Sequence, residues 1–246
     1  MPHSVHPTPR AGTPDAEGLS TRYWNRNIPK QQWTEECPEY LVGIGDKNMR
    51  IISSREEDCH KLSWPEVREL TGRIDQFQRS PSQLRAYLKW VYHLKQQYGS
   101  VSAYIQHELL RWDDITPSGD PPFQNPEDYK ILYNDWPYYI DEDIKHLVVW
   151  TKFVIDEDES TGQVSEKARV DIETFIARTF ILDAGQGSEE GTSRKPGMPR
   201  DHIVWFKNWK SLKSVHALEH FHVMLYKPPA DLLACYNGKQ DGERIQ

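Results

Sequence analysis

The chain has 246 residues and a formal net charge of −7, and these two numbers restrict both its size class and its partners. The length suits one large domain, or one domain with an appended subdomain. The acidic balance argues against a broad nucleic-acid surface, which needs a basic field, but it permits a local pocket for a small anion. We therefore expect a small-molecule ligand and no nucleic-acid partner.

The cysteines and the apolar runs indicate the compartment. Cys37, Cys59 and Cys235 lie far apart and form no CxxC pair, which is typical of reduced thiols inside a cell. The first residues lack the apolar core of a secretory signal, and no apolar run approaches the roughly 20 residues of a membrane span. These features predict a cytoplasmic location, with the nucleus as a second option, and no membrane partner.

The N-terminal segments are weakly patterned, and a helical subdomain follows them. Residues 1–20 are rich in Pro, Thr and Gly, which predicts a disordered tail, and 21–62 are expected to be a weakly structured extension. Helical patterning begins at residue 63 and continues to 112. The stretch "SWPEVRELTGRIDQF" opens with a capping box of Ser63 and Glu66. Its apolar residues then recur at helical spacing up to residue 77.

Two further helices are predicted inside this subdomain. The stretch "SPSQLRAYLKWVYHLKQQYG" repeats the capping pattern with Ser80 and Gln83, and Gly99 ends the apolar stripe. The stretch "SVSAYIQHELLRW" has the composition of a third helix. A Pro-rich connector follows it, after which the pattern changes to strands.

The second half of the chain predicts an α+β unit over residues 129–228. The apolar, β-branched run "HLVVWTKFVI" (146–155) reads as a buried strand, and "SEKARVDIETFIARTF" reads as an amphipathic helix. "HIVWFKNW" and "EHFHVMLY" predict two more strands. We expect an antiparallel sheet with a packed helix, a flexible loop at 185–200 and a disordered tail at 237–246.

His220 and His222 are the first candidates for chemistry. On a strand they share one face, while Phe221 and its apolar neighbours point to the other face and the core. Imidazole changes charge near neutral pH, so the pair suits acid–base or nucleophilic work on an anion. Two other interpretations are open at this stage: a solvated polar sheet face, and a metal site that adds His216 and Glu219.

Two more stretches carry candidate ligand contacts. Asn134, Asp135 and Trp136 precede a turn, and His146 and Lys152 then share a face of the following strand. They form either the lip of a pocket, with Lys152 as an anion contact, or a plain turn before a core strand.

Asn208, Lys213 and Ser214 place hydrogen-bond donors after the next strand, where they would hold phosphate or lie in a solvated turn. No phosphate-binding loop motif is present, and no cofactor or metal is predicted.

Four long stretches resemble a known family. "RSPSQLRAYLKW", "YGSVSAYI", "ILYNDWPYYIDEDIKHLVVWTK" and "WFKNWKSLKSVHALEHFHVML" are similar to the fungal N-acetylglucosamine-induced protein 1 family, a domain of unknown function. The resemblance runs from Leu62 to Pro228. The family name implies induction by an amino sugar and implies no reaction.

The order of elements is also similar to the histidine-triad (HIT) superfamily of nucleotide hydrolases and transferases. That superfamily has a strand of the form H-x-L-V-x-x-K, whose counterpart here would be His146-Leu147-Val148 through Lys152, and a later H-x-H-x-H strand. In the superfamily the middle histidine attacks the α-phosphate, and by position this role falls on His220, with His222 as the third member. Leu218 stands where the first triad histidine is expected, and the spacing before His220 is one residue longer than usual.

The HIT resemblance implies a specific reaction and a specific site. The chain would be a HIT-like phosphoester or nucleotidyl hydrolase or transferase acting on a nucleotide or sugar nucleotide. Its catalytic residues would be His220 and His222, and the other candidates named above would bind substrate. The alternative is a non-catalytic regulatory protein that binds a nucleotide or an amino-sugar metabolite. The sequence does not indicate the oligomeric state.

Overall fold

The computed structural model describes residues 22–181, 197–208, 218–234 and 236. Within these ranges the chain has α-helices of 4 to 18 residues and one four-stranded antiparallel sheet, which confirms the predicted α+β class. The strands are β1 Tyr129–Tyr133, β2 Ile144–Thr151, β3 Ile203–Phe206 and β4 Glu219–Tyr226. The helices are α1 Gly45–Ser53, α2 Trp64–Leu70, α3 Pro81–Tyr98, α4 Val101–Tyr104, α5 Glu166–Phe180 and α6 Ala230–Ala234.

The chain divides into two compact units, and the smaller combines Met1–Cys59 with Arg79–Trp90. The described part of this unit packs around Leu41, Ile52 and Leu84. Tyr23 donates its hydroxyl to the Leu41 carbonyl at 2.7 Å. Burial raises the pKa of Tyr23 to about 12, so this hydroxyl stays a donor across the physiological range.

The larger unit, His60–Gln78 with Val91–Gln246, contains the sheet. The strand order is β1-β2-β4-β3, so β2 and β4 are the central pair. One face of the sheet packs on α5 in a cluster that includes Leu147, Phe175 and Phe221. Both faces are covered, because α2 and the turn after it pack on the other side, where Val67 meets Met224. A strand covered on both faces reads as a nearly continuous apolar run, as β2 does.

Several predicted elements differ from the observed ones. The first predicted helix ends at Leu70 rather than near residue 77, because Gly72, two residues further on, has a low helix propensity. A 3₁₀ turn, Ile74–Gln76, carries the rest of the apolar stripe into the same core. The predicted third helix is only one turn of α-helix, α4, which continues as a π-helical segment, Ile105–Leu109.

Strand β1 was not predicted, and β2 is displaced from its predicted bounds. β1 is five residues long, and its alternate residues Tyr129, Ile131 and Tyr133 pack against the core on the α5 side of the sheet. β2 begins at Ile144 and ends at Thr151, where the Thr151 hydroxyl donates to the Phe153 carbonyl at 2.8 Å and turns the chain. The predicted loop at 185–200 and the tail at 237–246 lie wholly or mostly outside the described residues.

The N-terminus of α2 gives a pH-dependent prediction. The Glu66 carboxylate accepts hydrogen bonds from the Ser63 amide and hydroxyl at 2.8 and 2.6 Å, and His60 lies 2.7 Å away. These hydrogen bonds lower the pKa of Glu66 to about 2. A lowered folded-state pKa stabilises the fold above the ordinary value of 4.5, and this contribution is lost as pH falls through about 2.

We therefore expect Glu66→Gln to lower the thermal midpoint at pH 7, and the deficit to shrink steadily between pH 4.5 and pH 2. The matched control is Glu69→Gln, an exposed carboxylate on the same helix, for which the midpoint should barely change. Thermal melts of the three proteins at several pH values measure this. A deficit that stays constant down to pH 2 would contradict the assignment.

Candidate active site

Three histidines lie in one buried row on the α2-facing surface of the sheet. In the β2–β4 register, Met224 pairs with His146, His222 with Val148 and His220 with Trp150, so the three imidazoles share a face. His146, His220 and His222 are 4%, 3% and 6% exposed. The interpretation as a solvated polar face is therefore wrong, because α2 and its following turn pack over this surface.

His146 and His222, two members of the row, are directly hydrogen-bonded to each other. His146 Nε2 lies 3.0 Å from His222 Nδ1, and the ring centroids are 5.0 Å apart. Aromatic rings hold both imidazoles: Tyr138 stacks on His146 with centroids 5.5 Å apart, and Phe206 stacks on His222 at 5.0 Å. Both orientations are thus fixed by packing as well as by hydrogen bonding.

Asn134 sets the direction of this hydrogen bond. Its Oδ1 accepts the Trp136 amide at 3.0 Å, so its Nδ2 is the group that faces His146, 3.3 Å from Nδ1 and 3.4 Å from Nε2. Because His222 Nδ1 lies closer to Nε2, at 3.0 Å, we assign the Asn134 amide as the donor to Nδ1, which therefore accepts. His146 Nε2 then carries the proton and donates to His222 Nδ1. A neutral His222 consequently carries its own proton on Nε2.

His220 has the opposite tautomer. Its Nδ1 lies 2.9 Å from the Leu218 carbonyl oxygen, which can only accept, so Nδ1 carries the proton. In the neutral ring Nε2 therefore holds the lone pair. The Trp150 ring, with its centroid 4.5 Å away, supports the imidazole. This assignment follows from the backbone geometry at residue 218 and needs no side chain there.

The two tautomers give the site a chemical asymmetry. The His220 and His222 rings are 5.5 Å apart and nearly perpendicular, at 82°. His220 Nε2 offers a lone pair, while His222 Nε2–H offers a donor. A base beside a donor on one strand suits acyl or phosphoryl chemistry, in which one group attacks and the other stabilises developing negative charge.

The structure brings some of the predicted ligand contacts to this face. Asn208 is 7% exposed, and continuing the β3–β4 register, in which Phe206 pairs with His222, sets it opposite His220. Asn134 contacts His146 as described, while Asp135 is exposed and Trp136 contributes its amide to the Asn134 side chain.

Other predicted residues are placed elsewhere or lie outside the described ranges. Lys152 follows the end of β2, and its ammonium lies 5.5 Å from the Trp112 ring centroid. Lys213, Ser214 and His216 fall in 209–217, which the structure does not describe. Among the described residues no group of three or more His, Cys, Asp or Glu side chains is arranged to hold a metal, and no helix there is long and apolar enough to cross a membrane.

Lys207 belongs to the donor-rich stretch after β3 that the sequence singled out, but its burial was not predicted. The Lys207 side chain is 3% exposed, and its ammonium pairs with Glu157 and, at 3.3 Å, with Glu219 Oε2. It also donates to the Ile155 carbonyl at 3.4 Å. Lys207 alternates with Phe206 and so faces away from the histidine row. The sequence carried a weak signal for it: a lone Lys follows directly on an apolar strand.

Comparisons with known proteins identify the family to which the chain belongs. A family model described as "Protein of unknown function (DUF3605)" matches residues 63–226. N-acetylglucosamine-induced protein 1 of Candida albicans is 31% identical over 209 residues, which cover 76% of each chain. The uncharacterized protein YPL067C of Saccharomyces cerevisiae is 24% identical over 184 residues, covering 72% of this chain and 85% of that protein.

The resemblance to the N-acetylglucosamine-induced family is thereby confirmed. Among solved structures, the crystal structure of HTC1 is similar with a TM-score of 0.49 and 22% identity, covering 70% of this chain and 91% of that one.

The hydrogen-bond chain through Asn134 gives a stability prediction. Asn134→Ala removes the donor to His146 and the acceptor of the Trp136 amide, so both groups lose a partner. We expect a loss of about 1–3 kcal/mol in the free energy of unfolding. The exposed neighbour Asp135 is the control, and Asp135→Ala should stay within about 0.5 kcal/mol. Urea titrations measure both, and equal effects would contradict the assigned role of Asn134.

Proposed function

The chain belongs to the family described as Protein of unknown function (DUF3605), and we propose that it is a HIT-like hydrolase or transferase. Its substrate is a phosphoester or phosphoanhydride of a nucleotide or sugar nucleotide, and His220 is the nucleophile. The hydrogen bond from His220 Nδ1 to the Leu218 carbonyl at 2.9 Å carries this proposal, because it assigns the lone pair to Nε2.

The proposed reaction has two displacements. In the first, the His220 Nε2 lone pair forms a bond to phosphorus, and the bond to the leaving oxygen breaks with its electron pair passing to that oxygen, which takes a proton from solvent. In the second, water or an acceptor hydroxyl attacks phosphorus, the P–N bond breaks, and its electron pair returns to Nε2. The attacking oxygen releases its proton to solvent.

His222 has the complementary role in this reaction. Its Nε2–H donates to a non-bridging phosphoryl oxygen, where negative charge accumulates during each displacement. Because His146 accepts from Asn134 and donates to His222, the donor is oriented before substrate arrives. Such preorganisation avoids reorganisation at the moment of reaction.

The departure from the triad pattern at Leu218 is compatible with this mechanism. It is the backbone carbonyl of residue 218, and not its side chain, that contacts His220 Nδ1. The Leu218 side chain is 3% exposed and lies in the core. A leucine at this position therefore keeps the contact that sets the nucleophile's tautomer.

A second candidate function has its own observation. His220 is only 3% exposed, so a phosphoryl group reaches Nε2 only if neighbouring groups move apart. If they do not, the row is a rigid framework, and the protein acts as a regulatory module that binds a nucleotide or amino-sugar metabolite without turnover. The name of the Candida albicans relative records induction by N-acetylglucosamine, so nucleotide sugars of that hexosamine belong in the first substrate panel.

The deciding experiment follows product formation from a panel of nucleotides and sugar nucleotides by ion-exchange chromatography. His220→Asn is the diagnostic variant, since the Asn amide NH₂ can replace the Nδ1 donor to Leu218 while Nε2 is lost. We expect turnover to fall by about 100-fold or more. The control is His202→Asn, at the turn before β3, which should keep wild-type turnover.

Mass spectrometry of protein quenched in base should also show a phosphoryl or nucleotidyl adduct on His220 of the wild type alone. Saturable binding without turnover or adduct would favour the regulatory module. Turnover unchanged in His220→Asn would overturn the assignment of the nucleophile.

A further inference from the structure

A cleft of about 270 Å³ opens at the C-terminal end of edge strand β3, beside the histidine row. We call it the edge cleft. Residues from four regions line it: the turn after α2, the loop between β2 and α5, the first turn of α5, and the end of β3. Those used below are Glu157, Gln163, Arg169, Trp205, Phe206, Lys207 and Asn208.

The walls of the edge cleft are held in place by contacts outside it. The Trp205 indole donates to Glu173 Oε1 at 2.6 Å, and Arg200 holds the other oxygen of that carboxylate at 2.8 Å. The Lys207 ammonium forms an ion pair with the Glu157 carboxylate. The loop that carries Gln163 is closed by a hydrogen bond from the Asp158 amide to the Gln163 carbonyl at 2.7 Å. A ligand therefore meets a site that is already formed.

The charges of the edge cleft favour a neutral ligand. The Lys207 ammonium is matched by the carboxylates of Glu157 and Glu219, so it offers little to an anion. Arg169, the other cation of the lining, lies 5.6 Å from the Trp205 ring centroid and pairs with Glu166 at 3.9 Å. A phosphate would approach the Glu157 carboxylate, and an ammonium ligand would approach Lys207 and Arg169, so either charge meets a like charge. What remains is a polar, uncharged molecule.

The polar groups of the edge cleft suit hydroxyls. Gln163 and Asn208 each offer an amide with two donors and an acceptor, and the Glu157 carboxylate offers further acceptor positions. Asn208 is 7% exposed and lines the cleft. Donors and acceptors beside an indole, in a space of this size, match one sugar ring.

Two residues of the edge cleft, Phe206 and Asn208, adjoin the histidine row. Phe206 lines the cleft and stacks on His222 with centroids 5.0 Å apart. Asn208 also lines it and, by register, lies opposite His220. A ligand whose sugar occupies the cleft would carry its phosphoryl group towards His220 Nε2.

We propose that the edge cleft binds the neutral sugar of a sugar nucleotide or sugar phosphate, so that the substrate class is a glycosyl phosphoester rather than a plain nucleotide. This rests on the proposed function for the direction of the phosphoryl group, but sugar binding itself does not. Gln163 and Asn208 determine specificity, with Glu157 as the hydroxyl acceptor.

Saturation-transfer NMR with neutral hexoses and N-acetylhexosamines tests the edge cleft directly. We expect saturable signals for at least one sugar in the wild type and also in His220→Asn, because that variant leaves the cleft intact. Gln163→Ala should weaken binding about tenfold, the effect of losing one or two hydrogen bonds. The matched control is Gln97→Ala, an exposed glutamine on α3, which should bind as the wild type does.

Turnover supplies the second readout. Gln163→Ala should raise KM about tenfold for a sugar nucleotide, change kcat less than about twofold, and leave the KM for the corresponding nucleoside diphosphate unchanged. If nucleotides turn over but no sugar binds up to about 10 mM, the edge-cleft proposal is overturned and the proposed function stands. If sugars bind without any turnover, the proposed function fails and the edge cleft stands.

Discussion

The burial of three imidazoles between a sheet and a helix is the constraint on which the rest of this site depends. A buried polar group without a hydrogen bond costs about 1–3 kcal/mol, so a ring nitrogen beside a fixed acceptor carries the proton and one beside a fixed donor does not. The Leu218 carbonyl can only accept and the Asn134 amide nitrogen can only donate. These two fixed groups, at opposite ends of the row, determine which nitrogen of each histidine carries the proton.

The opposite tautomers of His220 and His222 follow from this constraint. The buried Lys207 lies on the α5 side of the unit, where it pairs with Glu157 and Glu219. In the proposed reaction, the lone pair on His220 Nε2 and the donor on His222 are both set by these two fixed groups. A leucine at position 218 is compatible with that proposal, because only the backbone carbonyl contacts His220.

Much of the fold could be predicted because local pattern and final structure agree. β4 has the predicted bounds, and α5 begins after the Ser165 cap, whose hydroxyl accepts the Ala168 amide at 3.2 Å. β1 was missed because a five-residue edge strand carries too few alternating residues to stand out. α2 ends before its predicted end because the low helix propensity of Gly72 outweighs the helical spacing of the apolar residues. Ile74, beyond that end, still packs in the same core.

The candidate site was only partly predictable, and the reason is tertiary. The two-residue period of the strand placed His220 and His222 on one face of the sheet. It could not show whether that face is exposed to solvent, because the helix that packs over it, α2, lies about 150 residues earlier in the chain. His146 and Asn134 were singled out as substrate contacts, whereas the structure joins them to His222 and to each other. Their roles towards a substrate stay predictions.

The assigned histidine tautomers are tested most directly by two-bond ¹⁵N–¹H correlation NMR of the imidazole rings. The spectra are recorded at pH 8, where imidazole is ordinarily neutral. Asparagine variants of each position assign the His146, His220 and His222 signals. We expect the Nδ1–H tautomer for His220 and the Nε2–H tautomer for His146 and His222. The same tautomer in His220 and His222 would contradict the division into nucleophile and donor, and with it the proposed chemistry.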